Sequence, residues 1–232
     1  MKTLIKEREE LYQLAADRVE ELLAGKPDAV VTMAAGRTML PLWRILTDRY
    51  QKGSVSFRHV RFFQTAELEG AEEQFSFRAQ VERNLMEKTD LRPENCVWLS
   101  DHSPEEVDSL LEEAGGLDLA ILGLGVNAHI GLNEPATPFF SRTRRQKLTE
   151  KTRSQLQWMF GEECAVPEIA LTLGIRTLTD ARQILVLAVG AEKAQAVFDM
   201  LYARDDSVIP AAFLQIPADV TVYVDPEAGN KL

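Results

Sequence analysis

The segment Gly123-Leu124-Gly125-Val126-Asn127-Ala128-His129-Ile130-Gly131-Leu132-Asn133-Glu134-Pro135 holds the side chains best suited to proton transfer. A hydrophobic stretch ends in Gly-x-Gly, and Asn127, His129, Asn133 and Glu134 follow in quick succession. A histidine titrating near pH 6.5 beside a carboxylate is the usual combination for moving protons at neutral pH. A carboxylate that accepts from one ring nitrogen fixes the tautomer and leaves the other nitrogen for substrate. The plain alternative is a loop histidine hydrogen-bonded for structural reasons, and a lone histidine would be read that way. His59, in a strand-like run beside Arg58, and His102, in a polar turn, are assigned to that alternative. A metal is not expected, because His129 and Glu134 lack a third or fourth well-spaced ligand.

Two further segments could hold an anion. Ala34-Ala35-Gly36-Arg37-Thr38 follows an apolar run, Val30–Met33. Gly36 allows a tight turn, a following helix offers free N–H groups, and Thr38 adds a hydroxyl. One glycine after a strand is more often only a turn. Val189-Gly190-Ala191-Glu192-Lys193 also joins a strand to a helix, whose buried face is Ala194, Val197, Phe198 and Leu201. Lys193 then falls in the first turn, where a cation opposes the helix dipole at a cost of a few tenths of a kcal/mol unless an anion joins it. Glu192 or another surface carboxylate is the simpler partner.

These segments need a frame. Leu11, Leu14, Ala15, Val19 and Leu22 repeat at helical spacing, and Gly25 with Pro27 ends that helix. Strand-like runs follow at Val30–Met33, Val55–Phe63, Val97–Ser100, Leu117–Gly125, Ile184–Val189 and Val220–Val224. Helical patterns lie between most of them, among them Leu40–Tyr50, Phe77–Lys88, Pro104–Ala114 and Glu192–Arg204. Near-continuous apolar strands alternating with amphipathic helices predict an α/β fold, a mostly parallel sheet with helices on both faces. Ligands of such sheets sit beyond the carboxyl ends of the strands, where all three segments fall. No repeat or linker interrupts the chain, so one domain over 1–232 is expected.

Composition narrows the functions. The 232 residues are 45% hydrophobic and 27% charged, an ordinary globular balance. A net charge of −10 argues against nucleic acid as a partner, while a local cluster of cations could still take a small anion. Two distant cysteines, Cys96 and Cys164, suggest neither a disulfide framework nor a metal site and fit a reducing cytoplasm. The N-terminus is too charged for a signal peptide, and no apolar run is long enough for a membrane span.

Together the segments resemble the glucosamine-6-phosphate deaminase/isomerase family. GLGVNAHIGLNEP is similar to its G-x-G-x-D-G-H-I-x-F-N-E-P signature, and SRTRRQKLTEKTR to the basic segment that follows. AAGRT resembles the phosphate-binding G-G-T loop, and Lys193 falls on the phosphate-binding lysine. The likeness runs from about Val19 to Val224, and the NEP ending separates it from the related 6-phosphogluconolactonases. It implies a modified Rossmann-type fold and a small sugar phosphate, an amino-sugar 6-phosphate, as substrate. His129 and Glu134 would open the pyranose ring, and Gly36, Arg37, Thr38 and Lys193 would hold the phosphate. No cofactor is implied, and a homo-oligomer is left open, since the family includes monomers and hexamers.

The departures are equally specific. The family's base lies in D-E-Y-V-G, which here is Ala66-Glu67-Leu68-Glu69-Gly70, so alanine stands at the base position. Glu67, and behind it Glu69, are the candidate replacements. The signature aspartate is Asn127 and the next glycine Ala128. Trp158 aligns with a phosphate-binding arginine, while Arg37 occupies the second glycine of the phosphate loop and could return that charge. Arg144 is kept, but Gln146 and Lys147 replace a lysine–threonine pair, so the likeness does not extend to allosteric control. Three outcomes follow: an enzyme with a relocated base, a non-catalytic sugar-phosphate binder, or a lactonase-like hydrolase using His129 to activate water.

Overall fold

Neighbouring residues on the central strands face different cores, which is why those strands are apolar at nearly every position. The computed structural model describes residues 1–161, 164–203 and 208–232. In chain order it contains β1 (Lys2–Ile5), α1 (Arg8–Gly25), β2 (Val30–Met33), α2 (Leu40–Gln51), β3 (Arg61–Phe63), β4 (Ala66–Leu68), α3 (Phe77–Asn84), β5 (Cys96–Val97) and α4 (Pro104–Glu113). Then come β6 (Leu119–Gly123), β7 (Arg144–Lys147), α5 (Glu150–Phe160), β8 (Ile169–Thr172), α6 (Ile175–Thr179), β9 (Gln183–Ala188), α7 (Ala194–Tyr202) and β10 (Val220–Val224).

Seven strands pair in parallel in the order β1-β10-β9-β6-β2-β3-β5. Val31, Met33, Leu119, Ile121, Leu185 and Leu187 point into one core with Leu11 of α1, Leu42 of α2 and Val81 of α3. Val30, Ala120, Leu122, Ile184 and Val186 point into the opposite core with Val107 of α4, Leu178 of α6 and Val197 of α7. The sheet is therefore the parallel one expected, with helices on both faces. The chain runs outward from β2 to β3 and β5, then returns to β6 on the other side of β2. That reversal opens a crevice between the carboxyl ends of β2 and β6.

Several expected boundaries move. The strand predicted over 55–63 shrinks to β3, because residues before it turn around Asp90, which accepts from the Phe57 N–H and Ser56 hydroxyl at 2.7 Å each. The Val97–Ser100 strand shrinks to β5 at the sheet edge, where the Leu99 N–H is taken by the Gln64 side chain at 3.0 Å. The helix predicted over 77–88 breaks at Leu85 and continues as a 3₁₀ turn, Met86–Lys88. Lys193 ends a 3₁₀ turn just before α7 rather than lying inside that helix. Arg204, at the end of the predicted Glu192–Arg204 helix, lies outside the described residues. β1 was hidden by its charged flanks. So was a second, antiparallel sheet in the order β4-β8-β7, whose strands are too short and, in β7, too polar to carry a pattern.

Glu67 locks this small sheet to α3. Its buried carboxylate accepts from the backbone N–H groups of Leu68 at 2.8 Å, Phe77 at 2.9 Å and Arg78 at 2.9 Å, and from the Gln64 amide at 2.8 Å. Phe77 and Arg78 open α3, where a carboxylate satisfies free donors and complements the dipole. Glu67→Ala would leave four donors, three of them fully buried, without their acceptor. We expect a loss of about 3 kcal/mol or more in urea unfolding, since each orphaned buried donor costs about 1–3 kcal/mol; a loss under about 1 kcal/mol would show that the carboxylate does not anchor the helix.

Candidate active site

The crevice widens into a cavity of about 520 Å³, within the usual range for a small-molecule site. Three strand ends supply its floor: Ala34–Thr38 after β2, Gly123–Val126 with His129 after β6, and Val189–Lys193 after β9. Ala66 of β4 closes one side, Gln155 and Trp158 of α5 another, and Arg8 and Tyr12 of α1 reach in from the edge.

His129 is buried against the glycine turn. Any side chain at Gly125 would overlap its ring, so the second glycine of Gly-x-Gly is a packing requirement. Its Nδ1 lies 2.7 Å from Oδ1 of Asn127, and Nδ2 of Asn127 donates to Oε2 of Glu134 at 2.8 Å. An ionised carboxylate only accepts, so the Asn127 amide must turn its NH₂ to Glu134 and its oxygen to the ring. Nδ1 then carries the proton, and Nε2 is left with its lone pair. The carboxylate expected to accept from the ring does not touch it: the Asn127 amide stands between Glu134 and His129. Sequence reasoning placed Asn127 in the site without this role.

Glu134 is held from the far side by α5. Thr149, the N-cap of that helix, donates its N–H to Oε1 at 2.9 Å, with its hydroxyl 3.2 Å from Oε2. Thr152, one turn on, accepts from Asn127 Nδ2 at 3.2 Å and lies 3.4 Å from His129 Nδ1. Gln155 then accepts from the Val126 N–H at 3.1 Å. A capping threonine is legible in sequence; which carboxylate it would grip is not, because α5 and the loop are joined only in three dimensions.

Burial lowers the His129 pKa to about 4, with Glu134 opposing the shift and Lys193 adding to it. The ring is thus neutral at physiological pH. Lys193 is also buried, and burial brings its pKa down to about 8, opposed by the Glu192 charge and assisted to a smaller extent by Arg37. Lys193, Gly36, Arg37 and Thr38 all line the one cavity. Gly36 takes a left-handed turn (φ 106°), and its N–H donates to the Gln80 side chain at 3.0 Å. Arg37 is exposed, with its guanidinium 5.1 Å above the Trp158 ring centre.

The replacement bases suggested by sequence do not fall in this cavity. Ala66 is in its wall, but the Glu67 carboxylate points the opposite way along β4, into the α3 N-terminus described above. Successive strand residues face opposite sides, so a base at 66 and a base at 67 cannot share a target. Glu69 is paired with exposed Arg145 outside the cavity.

Residues 6–223 match the family of glucosamine-6-phosphate isomerases and 6-phosphogluconolactonases. A glucosamine-6-phosphate deaminase of Hahella chejuensis is 38% identical over 231 residues, covering 97% of this chain and 88% of its own length. Glucosamine-6-phosphate deaminase 2 of Bacillus subtilis is 34% identical over 243 residues, covering 100% and 98%. A solved monomeric glucosamine-6-phosphate deaminase superposes with a TM-score of 0.95 at 32% identity, over the whole of both chains. The 6-phosphogluconolactonase of Trypanosoma brucei superposes at 0.75 with 19% identity, covering 100% and 98%, a likeness of fold. No helix among the described residues is long and apolar enough to cross a membrane.

Two pH effects follow. Histidine NMR should place the His129 midpoint near 4, and Asn127→Asp should raise it by putting a negative charge beside Nδ1. A midpoint near 6.5 in the natural protein would mean a solvated ring. For Lys193 the charged form attracts anions and persists below about pH 8. A phosphate monoester gains its second charge above about pH 6. Phosphate-ester affinity should therefore be greatest between those values and fall as pH rises through 8, and Lys193→Met should abolish the alkaline fall.

Proposed function

The chain belongs to the glucosamine-6-phosphate isomerase/6-phosphogluconolactonase family, and we propose that its cavity takes an amino-sugar 6-phosphate and carries out deaminase/isomerase-type chemistry. The observation that carries this reading is the Glu134–Asn127–His129 chain, which presents a neutral Nε2 to a cavity that also holds Lys193 and Arg37. The phosphate would bind at the β2 and β9 ends, whose Thr38, Arg37 and Lys193 line the same cavity, placing the sugar ring toward His129.

In the opening step, Nε2 takes the proton of the anomeric hydroxyl and a proton is returned to the ring oxygen. The pyranose becomes the open aldehyde with no net change in atoms. Deamination next requires a proton to move from C2 to C1, after which water replaces the amine, giving ketose phosphate and ammonia. Ala66 supplies no group for the carbon proton. This favours a second reading beside the first: a pocket that binds and opens the sugar but turns it over slowly, suited to sensing the sugar phosphate.

A positioned general base contributes about 100- to 10,000-fold. Ammonia release from glucosamine 6-phosphate by the natural protein should therefore be slow, and Ala66→Asp, alone or with Asn127→Asp, should raise it by at least about tenfold at saturating substrate. His129→Ala should remove turnover while leaving phosphate affinity largely intact. Rapid ammonia release by the natural protein would mean that another group abstracts the carbon proton. Unchanged turnover after His129→Ala would remove the histidine from the mechanism.

A further inference from the structure

We propose that Trp158 is a positioning residue for the ligand's phosphate: its indole face holds the Arg37 guanidinium at the cavity rim, making Arg37 the second cation of the phosphate site beside Lys193. The proposal rests on the reading of the cavity as a sugar-phosphate site and adds to it the element that sets phosphate affinity.

Among the described residues three guanidiniums lie over aromatic rings, and two of these are engaged elsewhere. Arg78, over Trp98, also pairs with Glu82 and Asp101, and Arg176, over Phe139, pairs with Asp180. Among the described residues Arg37 forms no ion pair, so its guanidinium rests over the indole with its N–H groups available. A planar guanidinium can give two parallel hydrogen bonds to a phosphate while an aromatic face supports it from behind. Lys193 differs in kind, being a buried point charge fixed at the cavity floor.

The platform itself is rigidly mounted. Trp158 is on α5, whose first turn grips Glu134 and Asn127 through Thr149 and Thr152. Trp158 is 41% exposed and contributes little to the core, so its substitution leaves the fold intact. Arg37 starts from the tight turn at Gly36, and stacking is what limits the freedom of its long side chain. Removing the indole should therefore release Arg37 and cost affinity only while Arg37 is present. A partly exposed cation–π contact corresponds to a few-fold in a binding constant, so the loss should be modest and conditional.

The test is calorimetric titration of inorganic phosphate and glucosamine 6-phosphate, with unphosphorylated glucosamine as control. Arg37→Met should weaken both phosphate ligands about tenfold or more, and Trp158→Ala about threefold. Trp158→Phe should retain most of the natural affinity, and Arg37→Lys, which keeps charge without the planar stack, should behave like Trp158→Ala. In the Arg37→Met background, Trp158→Ala should have no further effect. Independent, multiplying losses from the two substitutions would overturn the coupling, and full affinity in Arg37→Met would overturn the role of Arg37; in either case the sugar-phosphate reading stands. Failure of the natural protein to bind either phosphate ligand at millimolar concentration would overturn that reading and this inference together.

Discussion

Glu134 can only accept hydrogen bonds, and that one-way demand orders the site around it. It turns the Asn127 amide, the amide sets the proton on His129 Nδ1, and the free lone pair is thereby placed on Nε2. Its other donors, the Thr149 N–H and hydroxyl, bring the start of α5 against the β6 loop. The position of α5 then decides where Gln155 and Trp158 stand in the cavity wall. One carboxylate thus connects the tautomer of the ring to the placement of the opposite wall. The arrangement is tolerable because the carboxylate is satisfied on every side; unpaired, it would be among the costliest groups to bury.

The same accounting separates Glu67 from Glu134. Both carboxylates are buried and both accept several donors, yet of the two Glu134 is the one joined, through Asn127, to the ring of His129. Their difference lies in geometry that a sequence does not display. On β4 the alternation of side chains turns Glu67 toward α3 and leaves Ala66 facing the cavity. A carboxylate next to the expected base position is then a helix anchor, and the cavity wall at position 66 is apolar.

The large sheet was legible because its physics is local. β2 and β10 fall where apolar runs of strand length predict them, and each is buried on both faces. The three strand-to-helix turns were legible for a related reason: a doubly covered parallel sheet must bring its carboxyl ends to one side. His129, Lys193 and the Gly36–Thr38 turn accordingly line one cavity. What escaped depends on contacts between distant segments. The three-stranded sheet joins residues 66–68 with 144–147 and 169–172, and neither the polar β7 nor the three-residue β4 carries a periodic signal. The Asn127 bridge escaped because a side-chain amide is symmetric on paper. Only the acceptor-only neighbour decides which end faces the ring.

The departures from the family pattern keep backbone positions while altering the groups on them. Ala128 adopts a left-handed conformation (φ 60°), tolerating a backbone that glycine would enter without penalty, so the loop is retained despite an added methyl group. Asn127 keeps the hydrogen-bonding shape of an aspartate with one charge fewer, which leaves burial as the largest influence on His129. At the other end of the cavity Arg37 adds a guanidinium beside an already buried lysine, and its charge helps lower the Lys193 pKa. Two like charges at that end raise the local potential, which favours an anion there. The negative charge withdrawn around His129 and the positive charge gathered near Lys193 act in the same direction. They make the field at the β2 and β9 ends of the cavity more positive, while at Ala66 the wall carries only a methyl group.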